Sequence, residues 1–489
     1  MAEYIPPLSE LVSWLHVMHI ADASMYKAIS SYAAARYGFY ADELKRTVLM
    51  VDKTGCDPYA AVELTATKTR NKEFGDFLSE YAAAVKTSGN PAPYLKTRLK
   101  SLRVEEKAAE EKRSSSLSLF AEVFVAFFVA GLLFAVIVFL MLGIMNNGSP
   151  IPLSAIVYGG LPLGTLGFLV CLDVLYQTPP KPKKKTVKEK FVITPSDKTE
   201  KEILRRIYAY EKRKCFRDFF RRPTDALIRL PYLTFIVSLP CGVAVLSVLL
   251  LKHIIPTGTA IATSLIIVFF PYAVFSYLKS SRIMALESGF PSLCRILSSA
   301  AERGLTISKG LSEAATNMHG ILGKELSVAV HDIRLCGGVY DSFGRLRDRL
   351  QIPSADKLTP LIQEASKHSA DMSYPFSLCA DEAAASIEKV VLRKSSMQLY
   401  ALIMYISYVV FIFVQFIITG VFIDSFAASG NGVNISVFSR ILSDATLIHA
   451  VCCGLAAGKL SGNGISGGIF HACILLSIGA AASAVMTIL

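Results

Sequence analysis

Gln398-Leu-Tyr-Ala-Leu-Ile-Met-Tyr-Ile-Ser-Tyr-Val-Val-Phe-Ile-Phe-Val-Gln-Phe-Ile-Ile-Thr-Gly-Val-Phe-Ile423 runs without a single charged side chain. A stretch of about 18 or more such residues is long enough to cross the hydrocarbon core of a bilayer as a helix, and a helix keeps its backbone groups satisfied there. Outward from this run the chain repeats the pattern at Val123 to Met145, Ile151 to Leu172, Leu230 to Leu251, Pro256 to Leu278, Ala445 to Gly458 and Ile465 to Leu489. Ala445 to Gly458 is short for a span, with Asp444 at its mouth and Ile441 and Leu442 to lengthen it backwards. The expectation is about seven transmembrane helices.

Of the 489 residues 52% are hydrophobic and 18% charged, against about 25% charged in ordinary soluble domains. Purely soluble and secreted classes are excluded. Met1 to Glu10 has no basic segment leading into an apolar one, so no cleaved signal peptide is expected and the N-terminal domain is assigned to the cytoplasm.

The net charge of +12 would raise a nucleic-acid reading on a soluble chain, but its location decides otherwise. Gln177 to Arg229, between the second and third spans, carries +10 of it, including Lys183, Lys184, Lys185, Arg205, Arg206, Lys212, Arg213, Lys214, Arg217, Arg221 and Arg222. Loops rich in Lys and Arg stay on the cytoplasmic side, which predicts a cytoplasmic N-terminus and, with seven spans, an external C-terminus. The two glycosylation acceptors, Asn147 and Asn434, both fall in predicted outer loops. The ten cysteines avoid those loops and read as reduced, apolar side chains.

Domain boundaries follow: a cytoplasmic helical domain 1–118, spans 119–176, the basic loop 177–229, spans 230–278, a second cytoplasmic helical domain 279–397 and spans 398–489. Leu8, Leu11, Val12 and Leu15 in one domain, and Leu293, Ile296, Leu297 and Ala300 in the other, follow helical spacing. At an offset of 282 the domains align: Asp22 to Ser30 lies over Gly304 to Ser312, Glu43-Leu44 over Glu325-Leu326 and Gly55 over Gly337, and after a two-residue slip Phe77 to Glu80 over Leu361 to Glu364. The fold class is all-α: a polytopic membrane protein with a duplicated helical bundle.

Several motifs imitate chemistry. Gly462-Asn-Gly464-Ile-Ser-Gly467 matches a dinucleotide fingerprint but joins two apolar helices, not strand to helix. Gly454-Leu-Ala-Ala-Gly458-Lys459-Leu460 is one residue short of a phosphate loop and lacks its hydroxyl; the two glycines read as a close helix contact. His449, Cys452 and Cys453, with His471 and Cys473, have soft-ligand character but read as a buried imidazole bonded to a neighbouring helix beside packing thiols. His16 and His19 lack the Glu of a metalloprotease helix and read as a partly exposed face. Glu122 reads as an interfacial acid at the mouth of its span. No enzyme activity, metal or cofactor is expected. Within the basic loop, Lys198 to Arg222 interleaves Ile203, Ile207, Tyr210, Phe216, Phe219 and Phe220 with Lys and Arg, a basic amphipathic segment suited to anionic lipid or an acidic partner.

The second domain, with Phe290-Pro-Ser-Leu-Cys-Arg-Ile-Leu-Ser-Ser-Ala-Ala-Glu-Arg-Gly-Leu-Thr-Ile-Ser-Lys-Gly-Leu311 and Val330-His-Asp-Ile-Arg-Leu-Cys-Gly-Gly-Val-Tyr-Asp-Ser-Phe343, resembles the type II secretion system F domain family. Leu447 to Leu460 followed by Gly467-Gly-Ile-Phe-His471 resembles the archaeal branch, which includes platform proteins of the archaellum and of adhesion pili. The resemblance implies a scaffold in the cell membrane that engages a hexameric secretion ATPase, gathers pilin- or archaellin-like subunits and forms a homo-oligomer such as a dimer. The basic loop, through its eleven cations named above, is the expected ATPase contact. The rival classes are a polytopic small-solute transporter, for which charged midplane residues are expected, and a tethered receptor.

Overall fold

A computed structural model describes residues 5–126, 131–145, 149–176, 224, 227–228, 230–252, 255–336, 338–369, 371–423, 435–461 and 464–488. These residues are overwhelmingly helical, with no strand among them, and divide into two compact units: 5–112 with 282–391, and 113–176 with 230–281 and 392–488.

The first unit holds α1 (Leu8–Ile20), α2 (Met25–Ala35), α3 (Phe39–Thr54), α4 (Pro58–Lys68), α5 (Lys72–Ser88) and the start of α6 (Ala92–Val125). For numbering in chain order, α7 is Leu132–Met145, α8 is Ile151–Ala155, α9 is Leu161–Tyr176 and α10 is Phe235–Lys252. The first unit resumes with the end of α11 (Thr257–Glu302), then α12 (Ile307–Asn317), α13 (Gly320–Cys336), α14 (Val339–Leu350), α15 (Pro353–Ala365) and the start of α16 (Ser373–Ile417).

The duplication is visible in the helix boundaries. α1 ends at Ile20 and α11 at Glu302; α2 spans Met25–Ala35 and α12 Ile307–Asn317, so each boundary recurs at the offset of 282. The turn between them repeats atom for atom. Asp22 and Gly304 both take left-handed φ, +58° and +70°, and the paired backbone bonds Ala23 N–H to Met18 O and Leu305 N–H to Ala300 O are both 3.0 Å. This is the six-to-one closure that satisfies terminal helix carbonyls; glycine adopts it without strain, and Asp is among the few other residues that tolerate it. Beyond Gly55 the helices start one residue early (Pro58 and Val339, Lys72 and Pro353, Ala92 and Ser373), whereas the match of Phe77–Glu80 to Leu361–Glu364 requires a slip in the other direction. The structural register therefore replaces that part of the alignment.

Both copies contribute to one hydrophobic core, with Trp14, Tyr32, Phe74, Phe77 and Tyr81 from the first and Leu293, Leu326, Ile352 and Phe376 from the second. A bundle of amphipathic helices this short has no other stable arrangement than burying its stripes together.

In the second unit α8 passes through a π-turn at Ile156–Gly160 into α9, and the unit continues with α10, the start of α11, the end of α16, α17 (Ile435–Leu460) and α18 (Gly464–Ile488). Six helical stretches among the described residues are long and apolar enough to cross a membrane: Ile151–Val174, Pro231–Lys252, Thr257–Glu302, Ser373–Gly420, Ser436–Leu460 and Ser466–Val485. The predicted first span, Val123 to Met145, lies partly outside the described residues. Where the sequence offers Ala445 to Gly458 as a short span after an outer loop, the structure has one 26-residue helix beginning at Ile435. Arg440 and Asp444 do not end it because each has a polar partner: Arg440 Nη2 donates to Thr257 Oγ1 at 2.5 Å and Tyr158 Oη donates to Asp444 Oδ2 at 2.6 Å.

Candidate functional site

The eleven cations of the basic loop and the glycosylation acceptors Asn147 and Asn434 lie outside the described residues. What the structure does bring together is a set of contacts between the two halves of the duplication.

In the first unit α6 and α16 run side by side in parallel. Lys107 Nζ lies 3.2 Å from Glu388 Oε1 and Lys389 Nζ 2.6 Å from Glu106 Oε2; Glu106-Lys107 and Glu388-Lys389 are the same dipeptide at the offset of 282. One turn earlier Arg103 Nη2 reaches Glu382 Oε2 at 2.6 Å. A second contact between copies centres on Arg36. Its guanidinium pairs with Glu10 at 3.3 Å, covers the Trp14 ring at 5.4 Å, and donates to the carbonyl oxygens of Asp356, at 3.5 Å, and Lys357. Lys357 Nζ in turn lies 3.6 Å from Glu10. A planar five-donor fork is suited to holding carboxylate, ring face and backbone at once.

His16 corrects the sequence reading of a partly exposed face, and His19, of intermediate exposure, agrees with it. His16 is buried, its ring edge-on to Tyr374 at 5.6 Å, and His19 Nε2 is 2.6 Å from Tyr81 Oη. His16 thus meets the second copy, whereas His19 packs against Tyr81 of its own copy. Burial, with the Lys96 and Arg103 charges adding for His16, holds both imidazoles neutral, at a pKa of about 4.

In the second unit the halves also meet near the same offset. Ser118 Oγ and Tyr400 Oη, 282 positions apart, are hydrogen-bonded, and Tyr400 Oη donates to Glu122 Oε1 at 2.9 Å; this bond accounts for the acid at the mouth of its span. Tyr158 with Asp444 and Asp173 with Lys459 are each 286 apart, so α17 lies parallel to the Ile151–Tyr176 segment at constant register. α17 and α18 form a hairpin whose seam is small residues, as expected of Gly454 and Gly458: a Cβ on Gly454 would enter the Ala472 backbone, and one on Gly458 the Gly468 backbone. Gly464, in the turn, has φ +66°.

His471 Nδ1 lies 2.7 Å from Tyr405 Oη on α16, an interhelical bond of the kind expected. His449 is fully buried against Phe411, its Nε2 3.4 Å from Cys453 Sγ. Among the described residues no three His, Cys, Asp or Glu side chains converge as metal ligands, and the cysteines whose side chains are described are free thiols.

Residues 15–139 match the family model for type II secretion system (T2SS), protein F. The match runs from within α1 through the rest of the first helical copy into the first predicted span, whereas the motifs carrying the resemblance in the sequence stand in the second copy and in α17 and α18. No curated protein and no solved structure matches the chain.

Proposed function

We propose that the whole chain is of the type II secretion system F family and serves as the membrane platform of an archaeal type IV pilus-like machine, archaellum or adhesion pilus. The observation that carries this reading is the family match at residues 15–139, together with the repetition of that copy's helix boundaries in the second. The duplication extends the likeness to a part of the chain the match does not reach.

In this reading the protein performs no chemistry of its own. Its first unit and the basic loop face the cytoplasm, the N-terminus is cytoplasmic, and the membrane is the plasma membrane. A hexameric secretion ATPase docks on the loop through Lys183, Lys184, Lys185, Arg205, Arg206, Lys212, Arg213, Lys214, Arg217, Arg221 and Arg222, where a concentration of positive charge steers an acidic surface. ATP-driven movement of that partner is passed through the platform to pilin- or archaellin-like subunits gathered around the spans, and the platform acts as a homo-oligomer.

The test is capture of the cognate secretion ATPase by detergent-solubilised protein, with and without Lys181 to Arg222, over a range of salt. Capture that weakens with salt and disappears with the deletion supports the motor contact on the loop. Equal capture by both forms moves the contact to the helical copies, and no capture by either overturns the platform reading.

A further inference from the structure

α13 buries Leu322, Leu326, Ala329 and Ile333 and turns Ile321, Val328 and Leu335 outward at 39%, 46% and 76% exposure. The three recur at every seventh position, two turns apart, and so form one narrow aliphatic line along the helix. The duplicated fold does not require them. In the first copy α3 occupies the equivalent place and carries Arg46 and Lys53, both exposed, where α13 has Val328 and Leu335.

The same outward face of α13 carries exposed Lys324, His331 and Arg334. Among the described residues neither Lys324 nor Arg334 has an ion-pair partner. The acids of the helix are engaged elsewhere: Glu325 lies 3.6 Å from Arg282 and 3.4 Å from Arg349, and Asp332 lies 2.6 Å from Arg349. A line of aliphatic side chains is therefore bordered by two cations, Lys324 and Arg334, that make no ion pair among the described residues.

We propose that this face of α13 docks an acidic amphipathic helix of a partner protein, with apolar residues along the aliphatic line and carboxylates opposite Lys324 and Arg334. A single aliphatic line running about four turns along α13 matches the apolar stripe of one helix laid against it, and the sign of the flanking charge, Lys324 and Arg334, selects an acidic one. A second copy of this chain is disfavoured, because a two-fold self-contact would set Lys324 and Arg334 against the same basic face. An anionic lipid surface takes a broad apolar face carrying bulky aromatic and leucine side chains, not a single narrow line. The proposal does not depend on the platform reading or on the basic loop.

The test uses the full chain in phosphatidylcholine nanodiscs and a fluorescent helical peptide with Leu at every seventh position and Glu flanking it, alongside the same peptide with Lys for Glu. The expected result is binding of the Glu peptide alone, weakened by about tenfold or more in the Val328→Arg, Leu335→Lys double variant. That variant restores the first copy's charges and adds two positive charges to the protein. A peptide held merely by the basic loop would bind it equally or more tightly, and that outcome overturns the proposal. Lys324→Glu with Arg334→Glu leaves the apolar line intact and is expected to exchange preference to the Lys peptide. Emission of Trp14, the only tryptophan, reports that the variants keep the core. Absence of Glu-peptide binding, displacement of the peptide by phosphatidylglycerol vesicles, or self-association abolished by the double variant each overturns the proposal.

Discussion

Lys107 pairs with Glu388, and the residues that stand 282 positions from each, Lys389 and Glu106, make the return bond. Reciprocity of this form is the mark of a two-fold contact between identical subunits. Here both subunits are segments of one chain, so the pairing sets the register of α6 on α16 within the first unit. The pairs are largely exposed, and such bridges contribute about 0.2–1 kcal/mol each. Their role is selection of one alignment over a shifted one that would bring like charges together.

Reversing one member should expose that role. Lys107→Glu places a carboxylate against Glu388 and is expected to lower stability by about 0.5–1 kcal/mol, with most of the loss recovered when Glu388→Lys is added. Trp14 is 1% exposed in the shared core, so its emission during denaturation reads the first unit. Additive effects of the two substitutions would show the bond is not made.

Arg36 is the stronger contact between copies, because one guanidinium serves a carboxylate, a ring face and two carbonyl oxygens. Arg36→Lys keeps the charge but cannot reproduce the fork. A loss of about 1–3 kcal/mol is expected, since Glu10 and the carbonyls would be left incompletely bonded in a half-buried place. A denaturation midpoint equal to that of the unaltered protein would refute this.

His16 and His19 make stability depend on pH. Each has a pKa of about 4 in the folded protein against about 6.5 when unfolded, so the unfolded chain binds more protons between those values. Stability is accordingly full above about pH 6.5 and falls as pH drops toward 4, by about 2 kcal/mol per imidazole at pH 5. His16→Leu should flatten the profile measured by Trp14 emission; an unchanged slope would place the titration elsewhere.

Much of this architecture is legible in the residues. Apolar runs mark the spans, and Asp22 over Gly304 marks the duplicated turn, because few residues take left-handed φ and the local sequence has to supply them. Gly454 and Gly458 announce a close helix contact for a similar reason: only the missing side chain permits it. What was not legible depends on partners far along the chain. Arg440 and Asp444 read as an outer loop until Thr257 and Tyr158 are placed beside them, His16 reads as part of a partly exposed face until the second copy covers it with Tyr374, and two Glu-Lys dipeptides carry no signal until α6 and α16 lie in parallel.

The hairpin seam provides the sharpest test of packing. A methyl group on Gly458 would overlap the backbone of Gly468, which cannot rotate away as a side chain could, so Gly458→Ala must push α18 from α17. Overpacking of this kind costs about 1–3 kcal/mol. Gly167, within α9, has no atom within 4 Å of an added Cβ, and Gly167→Ala should be neutral or slightly stabilising through helix propensity. Thermal unfolding of the two variants in detergent, followed by size-exclusion chromatography after heating, separates them: a lower midpoint for Gly458→Ala alone is expected. Equal midpoints would mean the α17–α18 contact is looser than the Gly458 and Gly468 backbones place it.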